Sequence, residues 1–195
     1  MRSLRPMLLT RRPQAFEHES FRWEIKFDGF RTMAHCTPEA TRLIMRGGRD
    51  WTDRFPSVAA SFRQLALSYE VVLDGEMIAG TGDVASFVDV ASRRSRHVFV
   101  VFDVLRFRGR DLTERRLEER RRILDRIGIV GDALVVSRQY VDGPALFREV
   151  ERHGYEGVVG KRVDSLYLPG KRSPHWVKVK TPLGARATAS RMRVR

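Results

Sequence analysis

The sequence predicts an α+β domain of largely antiparallel sheets flanked by helices. Runs rich in β-branched and aromatic residues, bounded by Gly, Asp and Pro turns, outnumber the helical stretches. Those helical stretches fall without a regular strand–helix–strand alternation, which disfavours a wound parallel sheet. No internal repeat is visible. A chain of 195 residues, 42% hydrophobic and 31% charged, is long enough for one domain with a substantial core.

Taken in order, Phe21 to Cys36 alternates as two strands, with Asp28-Gly29 as the tight hairpin signal between them. Leu43 to Met45 is extended and runs into Gly47-Gly48. Ser57 to Ser68 has helical spacing, and Val71 to Ile78 and His97 to Phe107 read as strands. Thr113 to Ile127 is an amphipathic helix, with Thr113 expected as N-cap and Gly128 closing it. Ala133 to Val136 reads as a strand, Pro144 to Arg152 as a helix and Gly157 to Val163 as a strand. A Pro/Gly loop from Ser165 to Pro174 leads into a last strand, Trp176 to Val179. Apolar periodicity then stops, so residues 1–182 are expected to form the domain and 183–195 a basic, disordered tail.

The formal charge of +13 favours a polyanionic partner, because fixed cations that neutralise phosphates release condensed counterions. A single cysteine, Cys36, excludes an intrachain disulfide and a Cys-based zinc cluster. No apolar run approaches a membrane span, and no secretory signal is evident, so a cytoplasmic protein is expected.

Of 37 basic residues only five are lysines, and four of these, Lys26, Lys161, Lys178 and Lys180, fall in short segments with the look of a phosphate site. Arginine stays protonated, whereas a lysine near other cations can lose its proton and attack phosphorus. Lys26 sits in EIKFDGFR, where an Asp-Gly bend lets Asp28 and Arg31 converge on a ligand. An ordinary hairpin with an exposed lysine fits that segment taken singly. In LDGEMIA, Asp74 and Glu76 flank a glycine inside an apolar strand. Such carboxylates need a cation, a metal or a ligand, and a strand-edge ion pair serves as well. Lys178 and Lys180 share one face of their strand and repel unless an anion sits between them; a solvated basic edge strand is the other reading.

The order and spacing of these segments resemble the covalent nucleotidyltransferase superfamily, and within it the ligase domain of bacterial ATP-dependent DNA ligases of the end-joining type. The match rests on EIKFDGFR, MRGGRDWTDRFP, LDGEMIA, VFDVL, EGVVGKR and SPHWVKVK, and it covers about residues 5 to 182. The resemblance implies the ligase adenylation fold. It implies that Lys26 attacks the α-phosphorus of ATP and carries AMP. Glu24 would read adenine, chiefly through its backbone, and Phe102 would stack on the base. Arg31 and Glu76 would hold the ribose, with Arg46 near the nucleotide and the 5′-phosphate of a nick. Lys178 and Lys180 would grip the α-phosphate beside Arg172, and Lys161 joins this ATP-binding set. Glu156, helped by Asp28, would position magnesium.

The family usually continues into an OB-fold domain, for which the stretch after Lys180 shows no equivalent. An OB-fold or repair protein acting in trans is therefore an expected partner, beside nicked double-stranded DNA. Two alternatives stay open: a non-catalytic or truncated ligase-like DNA-binding domain, and an RNA ligase or capping-type nucleotidyltransferase.

Overall fold

The computed structural model describes residues 4–65, 67–79 and 96–186. Its strands are β1 (Leu8–Arg11), β2 (Phe21–Lys26), β3 (Phe30–Cys36), β4 (Thr41–Met45), β5 (Val71–Ala79), β6 (His97–Phe107), β7 (Arg110–Asp111), β8 (Leu134–Val136), β9 (Gly157–Arg162) and β10 (Arg172–Lys180). Among the described residues the longer helices are α1 (Pro56–Gln64), α2 (Leu117–Ile127) and α3 (Gly143–Arg152), with a 3-10 turn at Thr52–Arg54. One sheet has the order β1-β10-β9-β2; the other runs β4-β3-β5-β6-β7, with β8 added beside β6. All pairings are antiparallel except β1 with β10 and β6 with β8.

Period-two alternation decides what each sheet faces. In β5 the odd residues Val71, Leu73 and Met77 join the core under α1. The even residue Val72 packs with Met7, Leu105 and Trp176 between the two sheets. In β2 and β10, Trp23, Ile25, Val177 and Val179 face α3, through Leu146 and Val150. The residues between them in sequence, Glu24, Lys26, Lys178 and Lys180, are left for the space between the sheets.

Asp28-Gly29 does not close a hairpin. β2 pairs with β9, whereas β3 pairs with β4 and β5, so the two residues carry the chain from one sheet to the other. A β-carbon at Gly29 would overlap the Met77 carbonyl oxygen, so close backbone approach, not turn conformation, requires the glycine. Thr113 is likewise not a helix cap. Its amide and hydroxyl both bond the Asp111 carboxylate, at 2.8 and 2.7 Å. Helix α2 starts later because its first amides find partners elsewhere: Leu117 and Glu118 donate to the carbonyls of Ser165 and Val163. Gly128 closes it as expected, left-handed at φ 66°. The α3 N-cap is Asp142, whose carboxylate accepts from the Ala145 amide at 2.7 Å.

Helix α2 docks through two buried arginines. Arg120 makes a bidentate pair with Asp103 at 2.9 and 2.8 Å, both side chains fully enclosed. Arg121 donates to the carbonyls of Phe102 and Ser137. Residues 183–186, expected as the start of the tail, belong to a short helix over 182–186; the expected disorder of 187–195 lies outside the described residues. Among the described residues no helix is long and apolar enough to cross a membrane.

Candidate active site

The inter-sheet faces of β2, β9 and β10 meet those of β3, β5 and β6 around two connected cavities. The larger, of about 340 Å³, is lined by Lys26, Arg31, Arg46, Glu76, Arg172 and Lys178, with β1 forming one wall. The smaller, of about 50 Å³, is lined by Glu24, Lys26, Arg31, Glu76, Phe102 and Lys161, beside Val159 and Trp176. Lys26, Arg31 and Glu76 belong to both. A roomier cavity of about 590 Å³ lies away from them, over His35 and Arg106, and holds no lysine.

At the phosphate-like end, β2, β9 and β10 run side by side with Lys26 opposite Gly157 and Gly157 opposite Lys180. Gly157 has φ 151°, and a β-carbon there would strike the Val179 carbonyl, so only glycine fits between the two lysines. Glu156, one residue earlier, places its carboxylate between their amines: one oxygen pairs with Lys26, and the other accepts from Lys180 at 2.6 Å. The protein's own carboxylate thus bridges Lys26 and Lys180, rather than sitting between the two stacked amines of β10, Lys178 and Lys180. Lys178 lies close by, its amine held below the ordinary lysine range by burial and then by Lys26 and Lys180.

Arg31 is fixed by Asp74, which accepts from its Nε and one Nη at 2.6 Å each. Burial works against the Arg31 charge, but Asp74 more than offsets it and the guanidinium is held more firmly protonated than usual. Asp74 also accepts from the Tyr167 hydroxyl at 2.6 Å, and that oxygen accepts the Met7 amide at 2.9 Å. Burial, then Asp74, pushes the Tyr167 hydroxyl well up, in keeping with its role as donor. Asp74 therefore serves an ion pair, while Glu76 faces the cavity. Burial pushes the Glu76 carboxyl up to about 7, against the pull of Lys26 and Arg31.

At the other end Phe102 carries two cations over its ring, Arg31 at 4.4 Å and Lys161 at 4.3 Å from the centroid. Glu24 is enclosed, accepting from Lys161 at 2.8 Å, Ser137 at 3.1 Å and Gln139 at 3.2 Å. Burial lowers the Lys161 amine, and Glu24 opposes that. The guanidinium of Arg172 donates to the Leu9 carbonyl, tying β10 to β1. Asp28 is half-buried in the β2–β3 crossover and lines neither cavity.

All ten residues expected around ATP thus gather here, nine of them on a cavity wall and Lys180 through Glu156. Asp28 does not join them. Sequence reasoning missed Tyr167, Ser137, Gln139 and the β1 wall. Tyr167 and the Ser137–Gln139 pair lie outside the motif segments, and β1 is only four residues long.

Residues 6–180 match the model of the ATP dependent DNA ligase domain. The chain belongs to this family. It is 36% identical over 182 residues to the multifunctional non-homologous end joining DNA repair protein LigD of Mycobacterium tuberculosis, a match covering 91% of this chain and 24% of that protein. A probable DNA ligase of Kineococcus radiotolerans is 38% identical over 168 residues, covering 80% of this chain and 33% of that protein. The chain therefore spans about a quarter to a third of these relatives. Among solved structures, a mycobacterial DNA ligase D complexed with ATP and MES superposes with a TM-score of 0.81 at 36% identity, over 91% of this chain and 60% of that one. A DNA ligase domain of the nucleotidyltransferase kind accounts for the paired curled sheets and for the cleft between them.

Proposed function

We propose that this ligase domain binds ATP in the two connected cavities, forms AMP-lysine at Lys26 and passes AMP to the 5′-phosphate of nicked double-stranded DNA in end joining or repair. The observation that carries this reading is the position of Lys26. Lys26 lines both the small cavity beside Phe102 and the larger one beside Arg46, Arg172 and Lys178, which supports an α-phosphate meeting its amine when the base lies against Phe102.

Lys26 Nζ bonds to the α-phosphorus as the bond to pyrophosphate breaks, and the amine gives up a proton. Lys178 and Lys180 stabilise the charge that develops on the phosphoryl oxygens, and Arg31, rigid on Asp74, orients the sugar. A 5′-phosphate oxygen of the nick then attacks the same phosphorus, breaking the P–N bond and returning the lysine. Attack by the 3′-hydroxyl releases AMP and seals the strand. Arg46 and Arg172, both exposed and both lining the larger cavity, would meet the DNA phosphate.

Among the described residues no cluster of three or more His, Cys, Asp or Glu could hold a metal. Magnesium needs fewer protein ligands, because it keeps waters and binds through one or two carboxylates plus substrate phosphates. Glu156 fits that role once it yields its lysines, with Asp28, outside both cavities, as the helper that the family resemblance implies. The ion would neutralise phosphate charge. A cytoplasmic setting and an OB-fold or repair protein in trans complete the reading.

Intact-mass spectrometry of the chain with ATP and magnesium tests it. A gain of one AMP that Lys26→Ala abolishes is expected. A chain that neither gains AMP nor joins a pre-adenylylated nick would sink the proposal and leave a DNA-binding domain.

A further inference from the structure

Glu24 is held by a segment that none of the ligase motifs contains. Ser137, just beyond β8, is fixed at three points: its amide donates to the Val101 carbonyl at 2.7 Å, its carbonyl accepts from Arg121 at 2.8 Å, and its hydroxyl donates to Glu24 Oε2 at 3.1 Å. Three residues on, Tyr140 exchanges both backbone hydrogen bonds with Trp23 of β2, at 2.8 Å each. The stretch 137–140 therefore staples β6 of one sheet to β2 of the other. In this extended stretch Ser137 and Gln139 point to the same side, toward Glu24.

An ionised carboxylate is acceptor-only, with about four lone-pair sites. On Glu24 three are filled: Oε2 accepts from Lys161 at 2.8 Å and from Ser137, and Oε1 accepts from Gln139 at 3.2 Å. Among the described residues no donor takes the second site on Oε1. Both carboxylate oxygens are thereby pinned on a wall of the small cavity, which Phe102 and Val159 also line. We propose that Ser137 and Gln139 are positioning residues that set the purine preference of this cavity, by holding Glu24 as a fixed acceptor with one open site. An exocyclic amino group, as on adenine, satisfies that site. A carbonyl in its place, as on guanine, brings two acceptors together and leaves both buried and unpaired. A carboxylate free to turn would discriminate less, since it could swing its open lone pair away. The inference rests on the nucleotide reading above and deepens it.

The test is calorimetric titration of the purified chain with ATP and, separately, with GTP, both with magnesium. The proteins are the parent, Ser137→Ala, Gln139→Leu and the double variant. The parent is expected to favour ATP. The double variant should lose at least about tenfold of that preference, mainly through weaker ATP binding, as expected when one hydrogen-bond discrimination is relaxed. Gln139 is only half-buried, so Gln139→Leu alone carries the test if Ser137→Ala does not fold, with a shift of about threefold expected. A folded variant that keeps the parental ATP-to-GTP ratio, or weakens both nucleotides equally, overturns the inference and leaves the nucleotide reading standing. A parent that binds neither nucleotide overturns both.

Discussion

Two lysine–glutamate pairs link β2 to the start and the end of β9, and they are opposite in polarity. In one, β2 supplies Glu24 and β9 supplies Lys161; in the other, β2 supplies Lys26 and the residue before β9 supplies Glu156. The first is sealed, with side chains 2–3% exposed, and its carboxylate has two further donors. The second opens on the cavity, with Lys26 18% exposed and Glu156 shared with Lys180. A buried pair held by further donors fixes geometry, and losing one partner strands a charge. A pair at a cavity mouth can exchange one partner for an incoming ligand. One pairing chemistry thus gives a scaffold at one end of the site and an exchangeable contact at the other.

The sharpest break of this contrast is Lys26→Arg, which keeps the charge beside Glu156 but removes the nucleophile. Complete loss of the AMP adduct by mass spectrometry, with an unchanged thermal midpoint, is expected; any residual adduct would place the nucleophile elsewhere. Next comes Lys161→Met, which fills similar space and leaves Glu24 buried without its cation. Chemical denaturation should show a loss of about 3–5 kcal/mol, of which Glu24→Gln in the same chain restores part. Equal stability of Lys161→Met and parent would mean that the sealed pair is not a scaffold.

A third test uses Glu76, whose carboxyl lies at about 7 instead of the ordinary 4.5. The folded protein holds this proton more tightly than the unfolded chain does. The stability it lends is full below pH 4.5 and is lost as pH rises through about 7. Glu76→Gln stays neutral throughout, so it should match the parent at pH 5 and exceed it at pH 8. A gap of about 2 kcal/mol is expected, with allowance for solvent at a partly open site. A gap that does not change with pH would refute this. The smallest effect belongs to Glu156→Gln, whose amide still bonds an amine while the lysines keep the cavity to turn to, so denaturation should register a loss of about 1–2 kcal/mol. A loss matching that of Lys161→Met would erase the distinction between the two pairs.

The motif residues were legible in the sequence because strand alternation and phosphate chemistry both act locally. Glu24 and Lys26, or Lys178 and Lys180, share a face through their spacing alone. Partners across the chain were not legible. Alternation in Phe21 to Cys36 marks two strands but says nothing of which sheet each joins, and an Asp-Gly pair reads as a turn unless the Met77 carbonyl beside it is known. Asp74 was seen to need a cation, yet nothing nearby in sequence names Arg31 and Tyr167 as its partners. Thr113 carries a good cap residue's chemistry, but Asp111 claims its hydroxyl, and helix α2 borrows its caps from the loop after β9. Ser137 and Gln139 look like ordinary loop polarity until Glu24 is placed beside them.

The pairing of β1 with β10 joins Leu8 to Arg172 and Arg11 to Lys178, early residues to late ones. The cleft between the sheets is therefore closed by residues far apart in this domain. During synthesis the β3–β4–β5–β6 sheet can assemble on its own residues, but β1 has no strand to pair with until β10 has left the ribosome tunnel. A nascent chain stalled before residue 172 is expected to hold a folded half and no grip on ATP. For this domain, the cleft gains its β1 wall only once residues 172–178 are in place to pair with it.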